Sequence, residues 1–379
     1  MGVLQLAAEL IRRPSVSNQS TREIADFASN ILDANGFQVH QNAYSLKGVE
    51  KVNVVAYKGG DTPKLALSGH LDTVPYSEKE WISNPLTLTE RGGRFYGMGV
   101  CDMKGFLAVA MSAAMQIPVV ALKSPVALMF TSDEEVGCIG ARRLVAAKGA
   151  VAEMIVIGEP TELRPVNLHK GYVFMQAVLR GARGHSSDPA KGRNVVERAL
   201  PTVIQRLMEF KQALESIRDT RLTPAYPTMN VGRIDTGNGS AKNVIADYCA
   251  VDFDIRPIPG QDVKDVIQAL QRHVAPEGEI NGIAVKLSPV RPPSLPFFTD
   301  AESVIAREVS AVMGSQPCST SFNTEGGVFN RAGSQSVICG IGSIQQAHKP
   351  NEFVDCRYLQ DSVVERYAEL IRRICGGER

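Results

Sequence analysis

Three short apolar runs, at 65–67, 126–131 and 154–157, set the frame of this chain. Continuous hydrophobic stretches of that length are the pattern of strands buried on both faces. Each is followed at once by polar residues. The first leads into Ser68-Gly69-His70-Leu71-Asp72, the second into Ser132-Asp133-Glu134-Glu135, the third into Gly158-Glu159. In open α/β sheets ligands bind at the C-terminal edge of the strands. Three strand tips carrying His, Asp and Glu therefore predict convergence on one point.

The surrounding pattern is consistent with that frame. Helical spacing covers 4–13 and 21–35; in the second, Ile24, Phe27, Ala28, Ile31 and Leu32 share a face and Gly36 is a natural stop. Residues 37–41 and 52–57 read as strands. Residues 81–99, rich in Gly, Asn, Pro and aromatics, read as a hairpin or long loop over the site. A small-residue helix, 103–115, follows Asp102 and ends before Pro118, and a further helix spans 139–148.

After Pro165 the texture changes. An alternating strand at 172–180 precedes a long amphipathic helix at 195–217. Strands at 228–234 and 247–255, a helix at 263–274 and a strand at 283–287 complete a β-α-β-β-α-β order, which predicts a ferredoxin-like unit inserted into a larger α/β domain. From about residue 291 the α/β texture returns, with a helix at 301–313, a strand at 335–339 and a closing helix at 359–373. The expected domains are 1–168, 169–289 and 290–379.

Composition narrows the function classes. The 379 residues are 44% hydrophobic and 21% charged, with a net charge of +1, which is ordinary for a globular protein. No Lys/Arg run tracks phosphates, so nucleic acid is not an expected partner. No apolar run is long enough to span a bilayer. The first residues lack a basic segment followed by an apolar core, so no secretory signal is expected. Seven cysteines occur with no Cys-x-x-Cys pair, which fits a reducing cytoplasm better than a disulfide framework or a thiolate zinc site. Cys101 reads as a small buried thiol. His40, in a strand, reads as structural, and His273, at a helix end, as a surface residue.

The candidates for chemistry are His70, Asp72, Asp102, Glu134, Glu135, Glu159 and His348. Taken singly, each has an ordinary explanation: adjacent glutamates in a solvated turn, an aspartate as an N-cap, a histidine in a polar loop. Together they suit zinc or another divalent transition ion, because imidazole and carboxylate donors occur without thiolates. More than three protein ligands invite two metals and a bridging carboxylate. Of two adjacent glutamates, one can bind metal while the other serves as general base.

SGHLDTVP at 68–75, GMGVCDMKG at 97–105, TSDEEVG at 131–137, IGEPT at 157–161, RGARGHSSDPAKGRN at 180–194 and QAHKPNEFV at 346–354 resemble, in order, the motifs of the dinuclear zinc amidohydrolases. That family includes deacetylases of acetylornithine, desuccinylases of succinyl-diaminopimelate, aminoacylases and carboxypeptidase G. The resemblance covers essentially the whole chain. It implies a zinc-peptidase-like three-layer α/β/α catalytic domain with an inserted ferredoxin-like α+β dimerisation domain. It also implies two Zn2+ per subunit, Co2+ or another divalent ion being possible. His70 and Glu159 would hold one ion, Glu135 and His348 the other, and Asp102 would bridge them through a residue joined by a cis bond to Met103. Asp72 would accept the free N–H of His70. Glu134 would carry the proton from water to the leaving amine. His185 would reach a partner subunit's site in a homodimer and stabilise the oxyanion. Asn243 and Arg256 look like the substrate-binding pair, Arg256 on an α-carboxylate. Glu325 is a candidate for a distal ammonium, and Asn323 stands where a glycine is expected.

The segments Asn323-Thr324-Glu325-Gly326-Gly327 and 342–350 are worded most like the acetylornithine-hydrolysing members. The expected reaction is hydrolysis of N2-acetyl-L-ornithine, a small-molecule substrate, in arginine biosynthesis. Alternatives are another N-acyl amino acid such as N-acetylcitrulline or succinyl-diaminopimelate, a dipeptidase or carboxypeptidase activity, and, more remotely, a non-catalytic binding protein.

Overall fold

In the computed structural model the three apolar runs are neighbours. The structure describes residues 1–148, 151–237 and 242–376, Lys148 by its backbone alone. The chain divides into two compact units, one of 1–168, 298–318 and 324–379, the other of 169–297 and 319–323.

The first unit opens with helices α1 (Val3–Ile11) and α2 (Arg22–Asp33), then a hairpin of β1 (Gln38–Leu46) and β2 (Val49–Lys58). The hairpin is longer than the apolar pattern indicates. Lys47 and Gly48 both adopt positive φ (51° and 82°), the two-residue turn that matches strand twist, and the ladder runs the full length of β1. β3 (Leu65–His70) follows. Then comes a small hairpin of β4 (Thr89–Arg91) and β5 (Arg94–Tyr96), turned at Gly92-Gly93. After it come α3 (Lys104–Met115), β6 (Val126–Thr131), α4 (Ile139–Lys148), β7 (Met154–Pro160) and β8 (Val166–His169).

The second unit holds β9 (Val173–Arg180), α5 (Val195–Arg198), α6 (Leu200–Leu214), β10 (Thr228–Asp235), β11 (Tyr248–Arg256), α7 (Val263–Val274), β12 (Glu279–Ile280) and β13 (Ile283–Pro289). Its sheet is antiparallel, in the order β10-β11-β9-β13-β12. Alternate residues Val173, Met175, Ala177 and Leu179 of β9 and Cys249, Val251, Phe253 and Ile255 of β11 face one core with Val203 and Leu207 of α6 and Leu270 of α7. The helix predicted over 195–217 is broken at Ala199 (φ −124°), because Pro201 sits in the first turn of α6 and a proline ring clashes with the preceding turn of a continuous helix. The unit also runs past residue 289, the expected boundary. Val290 N–H donates to Phe174 O (2.9 Å) and Ser294 N–H to Tyr172 O (2.8 Å), which ties the following segment to β9.

The chain then supplies β14 (Phe297–Phe298), α8 (Val304–Met313), β15 (Cys318–Thr320), α9 (Gly326–Arg331), β16 (Gln335–Gly340), β17 (Phe353–Asp355) and α10 (Asp361–Cys375). The large sheet runs β1-β2-β6-β3-β7-β16-β8. Within it β6, β3, β7 and β16 are mutually parallel. Leu65, Leu67, Val126, Leu128, Phe130, Met154, Val156, Val337 and Cys339 alternate onto one face, where α1, α3, α8 and α10 complete the core. At the intervening positions, Ala66, Ala127, Met129, Ile155, Ile157 and Ile338 are buried as well. Two buried faces explain why these strands read as unbroken apolar runs. Gly158 lets α3 approach: a Cβ there would lie 1.9 Å from the Phe106 ring. β17 joins β5 and β4 in a separate three-stranded sheet. Among the described residues no helix is long and apolar enough to cross a membrane.

Candidate metal centre

The four parallel strands β6, β3, β7 and β16 lie side by side, about 4.8 Å apart as strands do, and share one C-terminal edge. His70 is the last residue of β3, Glu134 and Glu135 follow β6, Glu159 lies near the end of β7, and His348 comes after β16. Asp102 precedes α3. It is not an N-cap, since α3 starts at Lys104 with Met103 in that role. The Asp102–Met103 peptide bond is cis.

Asp102 lies between the two imidazoles. Its Oδ1 is 3.0 Å from His70 Nε2 and its Oδ2 is 3.3 Å from His348 Nε2. Glu135 Oε1 is 2.9 Å from His348 Nε2, and Glu159 Oε1 is 4.0 Å from His70 Nε2. Donor atoms of His70, Asp102 and Glu135 lie within 4.8 Å of one another, and so do those of His70, Glu134 and Glu159.

The electrostatics follow from this crowding. Burial pushes the Glu159 carboxyl well above the ordinary range, with Asp102 and Glu134 adding to it. Burial also raises Glu134 well above that range, reinforced by Glu135, Glu325 and Asp72 against the pull of His70, and it raises Glu135 despite His348. Hydrogen bonds to Asp102 and Glu135 raise the His348 imidazole to about 10. His70 is also raised well above its usual value, because Asp102, Glu159 and Asp72 outweigh its burial. Asp102 is held low by the two histidines although burial opposes it. So much negative charge in so little water calls for cations. The donors, two imidazole nitrogens and several carboxylates with no thiolate, fit a divalent ion such as zinc.

Asp72 behaves differently from the expectation. The partner of His70 Nδ1 is the backbone carbonyl of Asp72 at 2.9 Å; the nearest carboxylate oxygen is 3.8 Å away. A carbonyl can only accept, so Nδ1 carries the proton and Nε2 is left as the donor atom toward a metal. The Asp72 carboxylate instead accepts the N–H groups of Glu134 (3.1 Å) and Glu135 (3.3 Å) and the Ser17 hydroxyl (3.1 Å).

A second buried network braces the same turn. Asp133 adopts φ 60°. Its carboxylate meets Lys51 Nζ at 2.9 Å and accepts the Tyr44 hydroxyl at 3.0 Å. Lys51 also donates to Ser17 O and Gln19 O, both at 2.7 Å. Nothing in the motif reading singled out Lys51, although a lysine beside a buried apolar strand is a signal of a paired charge. Glu352 was missed as well. It is 1% exposed and accepts backbone N–H groups from Gly99, Cys101 and Asp102.

Glu325 stands at the start of α9 and is 1% exposed. Burial pushes its carboxyl up to about 7, against the pull of Thr131 and His70. Cys101 is fully buried, its Sγ 3.3 Å from Ser343 O. His40 stacks edge-on against Tyr57. Glu325 acts on the cluster through its charge, which adds to the rise of Glu134, and Cys101 directly precedes Asp102.

The remaining predicted residues belong to the second unit. His185 Nδ1 accepts the Ser187 N–H at 3.1 Å and lies 2.6 Å from the Ser187 hydroxyl, and its Nε2 is 3.3 Å from Asn243 Nδ2. Arg256 stacks on Tyr172, 3.9 Å from the ring centroid. It donates to Asp254 (3.1 Å) and to Asn323 Oδ1 (3.1 Å). Asn323 also donates to Lys170 O, so an amide, and not a glycine, links these two. His273 lies 3.5 Å from Glu209.

Comparison with known proteins gives a consistent frame. The family described as peptidase family M20/M25/M40 matches residues 66–375. An acetylornithine deacetylase of Pasteurella multocida (strain Pm70) is 34% identical, over 99% of this chain and 98% of that protein. One of Proteus mirabilis (strain HI4320) is 32% identical, over 99% and 97%. Among solved structures, the M20 family metallo-carboxypeptidase Sso-CP2 of Sulfolobus solfataricus superposes with a TM-score of 0.75 at 20% identity, covering 98% of each chain. The YXEP protein of Bacillus subtilis, described as a dinuclear metal-binding peptidase, does so with 0.67 at 16% identity, covering 98% of this chain and 97% of that one. Below 25% identity such likeness speaks to the fold alone.

Proposed function

The chain belongs to peptidase family M20/M25/M40, whose members are metal-dependent amidohydrolases, and from that premise we propose that it hydrolyses N2-acetyl-L-ornithine to acetate and L-ornithine at a pair of zinc ions. The observation that carries the metal assignment is Asp102, whose two oxygens face two different imidazoles. The substrate assignment is supported by the near full-length similarity to acetylornithine deacetylases.

His70 and Glu159 would hold one ion, His348 and Glu135 the other, with Asp102 shared. Bound by these residues, divalent ions would supply Lewis acidity toward the amide carbonyl and make water easier to deprotonate. Glu134 takes the proton of the attacking water. Its raised pKa makes it a stronger base than an exposed glutamate. The protonated Glu134 then returns that proton to the leaving amine. Asp72 accepts the Glu134 backbone N–H and so fixes the turn that carries this carboxylate. His185 of the partner subunit would donate a ring N–H to the developing oxyanion, which makes the active form a homodimer. Arg256 is the proposed anchor for the α-carboxylate, Asn243 its companion, and Glu325 the proposed partner of the distal ammonium. We place the enzyme in the cytoplasm, in arginine biosynthesis; all seven cysteines are free.

The test is a panel of N-acetylornithine, N-acetylcitrulline, N-succinyl-diaminopimelate and dipeptides, with metal-loaded and chelator-stripped protein. N-acetylornithine should have the highest kcat/KM, and stripping should abolish turnover. A higher kcat/KM for any other member of the panel overturns the substrate assignment. Full turnover after stripping overturns the mechanism.

A further inference from the structure

Glu352 has no role in the chemistry above, yet it is among the most tightly held carboxylates in the molecule. Its side chain is 1% exposed. Oε1 accepts the N–H of Cys101 at 2.7 Å and of Asp102 at 2.9 Å, and Oε2 accepts the N–H of Gly99 at 3.0 Å. Its own carbonyl accepts the Gly97 N–H at 3.2 Å. Successive backbone N–H groups turned inward form an anion nest, and here the anion comes from the chain itself, some 250 positions away.

The two segments joined in this way each carry a proposed ligand. One ends in Asp102. The other begins at His348, four residues before Glu352. The second segment is anchored on both sides of the glutamate. Asn351 accepts the Ile82 N–H at 2.7 Å and donates to Glu80 O at 3.2 Å, and Phe353 pairs with Tyr96 in the β17–β5 ladder. With both flanks fixed, the carboxylate is a fixed point from which the 99–102 turn hangs. Only a carboxylate can serve three N–H donors without presenting a proton of its own. An amide would turn its NH2 group toward at least one of them, leaving a buried donor unsatisfied.

We propose that Glu352 is a positioning residue for the metal centre, locking the Asp102 turn to the His348 loop so that both metal positions are set by one clamp. This rests on reading Asp102 and His348 as ligands. Because Asp102 is shared, loosening the clamp weakens both ions together, whereas loss of an unshared ligand weakens one.

The experiment is titration of chelator-stripped full-length protein with Co2+, followed by visible absorption, for the unaltered protein, Glu352→Gln, and Val309→Ala as a core variant in α8. The unaltered protein should take up two Co2+ per chain. E352Q should bind both at least about tenfold more weakly, the size seen when groups supporting metal ligands are removed. Its spectrum at saturating Co2+ should be altered, with kcat reduced and KM for N-acetylornithine within about twofold. V309A should bind Co2+ as the unaltered protein does, even where it loses more Tm. E352Q binding both ions within twofold of the unaltered protein, with an unchanged spectrum, overturns the proposal, and so does weakening of one ion alone. Should E352Q fail to fold, Glu352→Asp retains the charge but retracts it by one methylene, and the same outcomes decide. Failure of the underlying reading looks different. In that case the unaltered protein takes up no Co2+, or Asp102→Asn leaves uptake intact, and the clamp falls with it.

Discussion

The Asp72 carboxylate holds the backbone of Glu134, accepting its N–H at 3.1 Å, while a second bond to the next N–H fixes Glu135. One buried side chain at the tip of β3 thereby orients the two glutamates at the tip of β6. Asp72→Asn keeps the shape but can accept through one oxygen only, and its NH2 group opposes the other N–H. We expect metal affinity and kcat to fall by roughly ten- to a hundredfold, with KM little changed. Steady-state kinetics and metal titration measure this. An Asp72→Asn variant equal to the parent in both would remove Asp72 from the site.

Glu134 is assigned to proton transfer and not to metal binding, although its carboxylate lies close enough to His70 and Glu159 to form a ligand group with them. Glu134→Gln separates the roles. Metal stoichiometry should stay unchanged while kcat drops by roughly a hundred- to ten-thousandfold. Loss of one ion per chain in that variant would make Glu134 a ligand.

Lys51 and Asp133 are an ion pair with both side chains 1% exposed or less. Removing one partner leaves the other charge buried and alone. Lys51→Met should therefore destabilise the fold by about 3–5 kcal/mol, read by urea denaturation. Because Asp133 directly precedes Glu134, kcat should fall in the folded variant as well. A change below about 1 kcal/mol would show that water reaches the pair.

His169 sets a pH dependence of its own. Its Nδ1 donates to Lys170 O at 2.8 Å, and burial pulls its pKa down to about 4. The unfolded chain has an ordinary imidazole near 6.5. Above that value both states are neutral and the full stability is present. Between about 6.5 and 4 the unfolded chain takes up a proton that the folded chain refuses, so stability falls with falling pH. The loss for this group approaches about 3 kcal/mol at the acid end. His169→Asn, which retains a donor and cannot titrate, should flatten that part of a stability profile measured between pH 7 and 4. An unchanged profile would mean that His169 is protonated in the folded chain.

The order of apolar runs and polar tips was enough to determine, without any structure, that an α/β sheet presents His70, Glu134, Glu135 and Glu159 along one edge. Parallel strands buried on both faces must be continuous in hydrophobicity, and they must all end at the same side. The β-α-β-β-α-β order of the second unit was equally legible, since its alternation has period two wherever one face meets the core. The break at Ala199 was not read: the apolar spacing carries one helix across 195–217, and Pro201 interrupts it. What only the tertiary structure decided is which groups stand behind the proposed ligands. The spacing of His70 and Asp72 suggested an imidazole–carboxylate contact, but the backbone carbonyl takes the imidazole proton and the carboxylate turns to the Glu134 turn. Lys51 and Glu352 act on turns 82 and 250 positions away. Periodicity records only which way a residue faces. A buried charge must find its partner in three dimensions, and no local pattern records where along the chain that partner lies.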